Sequence, residues 1–116
     1  MRNFSKHIYR TKDGLHYFEF AYTQMSCPQG EYFEITILTQ PSYGSRNDGN
    51  SICHRLTSKS MEGKMRVCIT ENKLIEATGT LDKARAVSIG WAEMTSKYIL
   101  SGETIDQQVQ KLHGSN

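Results

Sequence analysis

Residues 80–102, TLDKARAVSIGWAEMTSKYILSG, decide the fold of this chain, because their apolar and small residues recur at the spacing of an α-helix. At about 100° per residue they fall on one stripe. They are Leu81, Ala84, Val87, Ser88, Trp91, Met94, Thr95 and Tyr98. The Thr80 hydroxyl is suited to cap the first turn, and Gly102 to end the helix in the left-handed conformation. We therefore expect an amphipathic helix over residues 81–101 with Trp91 buried at its centre.

Upstream of this helix the apolar pattern changes to period 2, which is typical of half-buried strands. Alternation is clearest in residues 15–24 and 32–40, and residues 7–11, 51–58 and 65–70 have the same character. Turn-forming residues separate these segments, so consecutive strands are expected to pair as an antiparallel meander.

Together these patterns predict an α+β fold, in which a meander of four to five strands over residues 5–70 packs on the long helix. Residues 104–112 have apolar positions spaced for a short second helix at the C-terminus. For residues 73–78 the sequence does not decide between a further short strand and irregular structure. The length suits one domain, residues 1–116.

The composition indicates a folded chain outside the membrane. Hydrophobic residues make up 37% of it, which is too many for a disordered chain and too few for a membrane protein. The N-terminus lacks the apolar segment of a signal peptide. The cysteines, Cys27, Cys53 and Cys68, form no C-x-x-C pair and fit reduced thiols. We expect a cytoplasmic protein, with its oligomeric state left open.

No residue pattern in the sequence indicates catalysis or metal binding. Cys53 and His54 are adjacent, but alternation along a strand would send them to opposite faces, so they would not act as a nucleophile and its base. Motifs for phosphate binding, ester hydrolysis or zinc proteolysis are absent from the sequence. The expectation is a protein that is not an enzyme and has no cofactor and no metal.

The leading functional hypothesis is a small binding module for another protein, of the type of bacterial or phage accessory proteins, with residues 41–59 as its binding surface. Residues 41–50, PSYGSRNDGN, have the composition of a surface loop, and long loops often carry function. Tyrosine and arginine contribute most to many interfaces. The predicted binding residues are Tyr43, Arg46, Arg55 and Lys59.

Nucleic-acid binding through the outer face of the sheet is the alternative. Residues 1–14 and 41–70 each carry a net charge of +3, whereas residues 15–40 carry −3. The basic residues that would need to converge are Arg10, Lys12, Arg55, Lys64 and Arg66. If Tyr17 and Tyr32 shared that face, they would form a stacking platform for bases.

Residues 78–88, followed by Trp91, Ala92 and Glu93, resemble the start of the helix in the small DNA-binding domains that begin some phage integrases. The resemblance implies a three-stranded sheet packed on one C-terminal helix. It is an analogy of architecture, and this chain lacks the basic sheet of those domains.

Overall fold

A computed structural model describes residues 4–114 as five strands and three helices. The strands are β1 (Phe4–Arg10), β2 (Tyr17–Cys27), β3 (Gly30–Thr39), β4 (Arg55–Thr57) and β5 (Met65–Val67). The helices are α1 (Leu74–Thr78), preceded by a 3-10 turn at Glu71–Lys73, then α2 (Leu81–Ser101) and α3 (Ile105–Gly114). Arg2 and the two ends of the predicted domain 1–116 lie outside the described residues.

The five strands form one antiparallel sheet in the order β1-β2-β3-β5-β4. This confirms the α+β class, with the sheet first and the long helix after it. The order departs from a simple meander in one step, because β5 and not β4 pairs with β3. Burial fits this arrangement: Val67 of β5 is buried in the core, whereas Leu56 of β4 is exposed, as suits an edge strand.

The last two strands are shorter than the alternation predicted. A strand over residues 51–58 was wrong in its first half, because the amide of Cys53 bonds to the carbonyl of Gly49 and that of Arg55 to the carbonyl of Asn50. These bonds fold the chain into turns, and His54 has φ of 56°, outside the range of a strand. β5 ends at Val67, short of the predicted residue 70.

The long helix matches its predicted bounds. The Thr80 hydroxyl accepts a hydrogen bond from the amide of Lys83 at 3.2 Å, and Gly102 has φ of 83°. Trp91 is 3% exposed and lies edge-on to the rings of Phe18 and Phe20, at centroid distances of 5.7 and 6.0 Å. The prediction of a buried Trp91 is confirmed.

The two shorter helices settle the segments that the sequence left open. Residues 73–78 are mostly helical, so the two possibilities considered for them, a short strand and irregular structure, were both wrong; Leu74 and Thr78 are one helical turn apart and both buried. Their link is local, since the Thr78 hydroxyl donates to the carbonyl of Leu74 at 2.8 Å. α3 confirms the short second helix and buries Ile105 and Gln108.

The sheet has an inner face, which α2 covers, and an outer face. The main core on the inner side contains Phe18, Phe20, Tyr22, Ile35, Ile37, Val67, Ala84, Trp91, Ala92 and Ile105. The pairing of β1 with β2 and the alternation of side chains divide β1 between the two faces. Toward α2 point Ser5, His7 and Tyr9, and outward point Phe4, Lys6, Ile8 and Arg10.

Candidate functional site

Two of the four predicted binding residues, Tyr43 and Arg55, lie inside the domain. Tyr43 is 7% exposed, its ring lies 6.4 Å from that of Tyr98, and its hydroxyl donates to the side-chain oxygen of Gln40 at 2.8 Å. Arg55 is 8% exposed and places its guanidinium 5.4 Å from the centre of the Tyr43 ring. Burial raises the pKa of the Tyr43 hydroxyl, so the group stays protonated at neutral pH.

The third residue, Arg46, bonds to the end of α2. Its Nε donates to the carbonyl of Ile99 at 3.2 Å, and Nη2 donates to the carbonyl of Leu100 at 3.4 Å. A cation is favourable there, because the last carbonyls of a helix carry partial negative charge. The Tyr98 hydroxyl also donates to the carbonyl of Asn47 at 2.8 Å. Residues 40–54 therefore form a strap across α2, and we call them the α2 strap.

Lys59 is the one exposed residue of the predicted four. Its side chain is 46% exposed, and its Nζ lies 3.7 Å from a carboxylate oxygen of Glu71. An exposed pair at this distance contributes little to stability. The four residues therefore do not form one open surface, and contact between any of them and a partner remains a prediction.

The basic residues of the nucleic-acid hypothesis also separate. Arg55 is buried against the α2 strap, and Arg66 donates from Nε to the carbonyl of Thr57 at 2.9 Å. Tyr17 is 49% exposed on the outer face, whereas Tyr32 is 5% exposed and packs with the buried Leu74. The paired tyrosine platform is therefore not formed.

Glu34 is a buried carboxylate on the outer side of β3. It accepts hydrogen bonds from the Ser58 hydroxyl at 2.8 Å, from the amides of Lys59 and Ser60 at 2.7 and 3.1 Å, and from the Ser60 hydroxyl. Burial alone would raise the pKa of Glu34, but these bonds outweigh it and hold the pKa below its ordinary value. With its oxygens engaged, this carboxylate anchors a loop and is poorly placed for acid–base chemistry.

The thiols and histidines show no catalytic grouping within residues 4–114. Cys53 is buried, and burial raises the pKa of its thiol, which disfavours the reactive thiolate. His54 points instead to Asp106, with Nε2 2.8 Å from a carboxylate oxygen. In the same range, no group of three or more His, Cys, Asp or Glu side chains could hold a metal ion.

β1 is a terminal strand of the sheet, and we call its side away from β2 the β1 edge. The outer face of this strand exposes Ile8 by 65% and Phe4 by 43%. Lys6 and Arg10 are also exposed there, and neither has a carboxylate within 4.0 Å among the described residues. Sequence reasoning did not single out this strand, although the excess positive charge of residues 1–14 was a signal for it.

Comparison with known proteins returns no matching family model, no match among curated proteins and no match among solved structures. The resemblance of residues 78–88 and 91–93 to phage-integrase domains implies three strands, whereas the described residues form five. In the part of the chain that the structure describes, no helix is long and apolar enough to cross a membrane.

Proposed function

We propose that this protein is a non-enzymatic binding module that takes up an acidic, extended segment of a partner protein as an added strand on the β1 edge. The observation that carries the proposal is the combination of a long free edge with exposed basic side chains, Lys6 and Arg10. We assign the protein to the cytoplasm, because its three free thiols suit a reducing compartment.

The geometry of β1 favours strand addition over simple surface contact. An edge strand presents a row of unpaired amide and carbonyl groups, to which an extended peptide can bond along its whole length. β1 offers seven residues for this, whereas β4, at the opposite edge, offers three. Phe4 and Ile8 supply apolar contacts for alternate side chains of the incoming segment.

Charge selects the occupant. Lys6, Arg10 and the following Lys12 have no ion-pair partner among residues 4–114, so an acidic segment would complement them. A second copy of β1 is a poor occupant, because two such strands would bring their lysines and arginines together without any acid between them. This repulsion argues against a dimer formed through β1.

Other surfaces have weaker support. Tyr43, Arg46 and Arg55 each form hydrogen bonds within the domain, so Lys59 is the one exposed residue of the four predicted in residues 41–59. Nucleic-acid binding loses Arg55 and Arg66 to internal bonds. Both surfaces are retained as alternatives in the experiment.

The test is selection from a displayed library of random peptides, followed by fluorescence anisotropy with the enriched sequences. We expect enrichment of acidic peptides about as long as β1. Charge reversal by Lys6→Glu with Arg10→Glu should weaken their binding by about tenfold or more. The matched control is Lys59→Glu, which reverses an exposed lysine in the loop after β4 and should leave the affinity unchanged.

Hydrogen exchange separates strand addition from docking on a face. Peptide binding by an added strand should slow exchange of β1 amides that have no partner in the free protein. Peptides without acidic enrichment, or stronger weakening by Lys59→Glu than by the β1 variant, would contradict the proposal. Tighter binding of labelled oligonucleotides than of any selected peptide would favour the nucleic-acid alternative.

A further inference from the structure

Polar side chains line the seam where β1 and α2 lie side by side. Near the C-terminal end of β1, the Tyr9 hydroxyl donates to the Glu93 carboxylate, which also accepts a bond from the amide of Lys12 at 2.9 Å. The bond to Glu93 raises the pKa of Tyr9 to about 12. This end of the seam is closed by a carboxylate whose partners are in place.

The other end of the seam contains an arginine without a partner. Arg85 lies two helical turns before Glu93 on α2. Its Nε is shielded from water and has no hydrogen-bond partner, and no carboxylate lies within 4.0 Å of its guanidinium among residues 4–114. Buried polar atoms are nearly always bonded, so an unpaired donor of this kind calls for an explanation.

A chain of buried hydroxyl groups links His7 to the backbone of this arginine. The Ser88 hydroxyl donates to the carbonyl of Arg85 at 2.8 Å, which leaves its oxygen to accept from the Tyr22 hydroxyl at 2.7 Å. His7 Nδ1 lies 3.5 Å from the Tyr22 oxygen. Because the Tyr22 proton is used on Ser88, His7 meets this oxygen as a donor through Nδ1, and its Nε2 is left for another group.

We propose that Arg85 and His7 form an oxyanion-binding site at this end of the seam, for a carboxylate or a phosphate group. A rotation of the flexible Arg85 side chain would let a planar oxyanion accept from Nε and a terminal nitrogen together. Tyr22 and Ser88 orient His7 and are too deeply buried to touch the ligand, with exposures of 1% and 0%. Burial and the unbalanced charge of Arg85 lower the pKa of His7, as expected where an anion is missing.

The position of the site indicates where the oxyanion comes from. A strand added to β1 would place alternate side chains on the side of α2, next to His7. We therefore assign the oxyanion to an acidic side chain of the added segment, and this assignment rests on the proposed function. The binding of a free oxyanion does not depend on it.

The first arm of the test uses inorganic phosphate, and separately acetate, at constant ionic strength with the full chain. NMR follows the four histidines. Bound anion should raise the pKa of His7 saturably. Arg85→Met should abolish this shift, Arg85→Lys should retain part of it, and Lys83→Met on an exposed position of α2 is the matched control.

An unchanged His7 titration, or an equal shift in Arg85→Met, would overturn the inference. A fingerprint spectrum checks the fold of each variant, and Arg85→Lys keeps the test decisive if Arg85→Met unfolds. The second arm measures selected acidic peptides against Arg85→Met, with an expected loss of about tenfold. Phosphate binding without peptide binding would refute the proposed function alone, whereas peptide binding indifferent to Arg85 would refute the assignment of the oxyanion to the peptide.

Discussion

The indole nitrogen of Trp91 donates a hydrogen bond to the carbonyl oxygen of Cys53 at 2.9 Å. The bond joins the middle of α2 to the α2 strap, across 38 residues of sequence. The same ring fills the space between α2 and the inner face of the sheet, against Phe18 and Phe20. One side chain therefore connects the helix, the sheet and the strap.

Replacing Trp91 separates its packing from its hydrogen bond. Trp91→Phe keeps an aromatic ring but leaves the Cys53 carbonyl unpaired, so we expect a loss of about 1–3 kcal/mol in the free energy of unfolding. Trp91→Ala removes the ring as well and should cost about 3–5 kcal/mol. Urea denaturation followed by circular dichroism measures both. A Trp91→Phe variant as stable as the parent would show that the bond contributes nothing.

Fluorescence reports the burial of Trp91 directly, because it is the only tryptophan of the chain. In native buffer we expect a blue-shifted emission that iodide quenches poorly, since the ring is 3% exposed. Denaturant should shift the emission to that of free indole and restore quenching. Emission like free indole in native buffer would contradict the position of this residue.

Two glycines of the α2 region should respond oppositely to alanine. A Cβ at Gly90 would meet no atom within 4 Å, so Gly90→Ala should stabilise the helix by about 0.5–1 kcal/mol. At Gly102, φ is 83° and a Cβ would lie 2.9 Å from the Arg46 guanidinium, so Gly102→Ala should destabilise by about 1–2 kcal/mol. The thermal unfolding temperature of each variant gives the sign of its change in stability. A shift of both temperatures in the same direction would be inconsistent with these backbone conformations.

The residues predicted to bind a partner should differ sharply in their effect on stability. Tyr43→Ala removes a buried ring that contacts Tyr98 and Arg55, and we expect a loss of about 3–5 kcal/mol. Lys59→Ala should change stability by less than about 0.5 kcal/mol, because the side chain is exposed. Denaturation midpoints decide this. Similar values for the two would place Tyr43 outside the core.

The buried Glu34 predicts how stability depends on pH. Its pKa in the folded protein lies below the ordinary 4.5 of the unfolded chain, so its contribution is present above that pH and is lost as the pH falls through the folded value. Glu34→Gln should lose about 2–3 kcal/mol at neutral pH, because an amide nitrogen then faces the donors of the Ser58–Ser60 loop. Urea midpoints of the two proteins should converge toward acid pH. A difference between the two urea midpoints that stays the same at every pH would show that Glu34 does not contribute to the pH dependence of stability.

The sequence predictions succeeded where the deciding residues are neighbours in the chain, and failed where distant residues decide the structure. The bounds of α2 depend on Thr80 and Gly102, whose cap conformations act on adjacent residues, and both were predicted. Nothing near His54 indicates its positive φ, so the start of β4 was missed. Tyr43 has the neighbours of a surface-loop residue, and it is buried by packing with Cys53 and Tyr98, which lie further along the chain.

The candidate site was harder to predict, because strand register decides which side chains meet. Whether β1 lies at an edge depends on the order of the whole sheet. The approach of His7 to Arg85 requires β1 and α2 to run alongside each other, which periodicity in either segment does not show. Glu34 had no warning signal, since the serines that bury it come from another part of the chain.

The insertion of β5 between β3 and β4 affects the chain during its synthesis. When residues 4–39 have left the ribosome, the first two hairpins can form, but the strand that will cover the free side of β3 has not yet been made. Thr36 and Ile37 then present unpaired backbone until Met65 and Arg66 arrive. In that interval both edges of the nascent sheet are unpaired. The edge at β3, which β5 covers in the finished fold, is then vulnerable to pairing with a neighbouring chain.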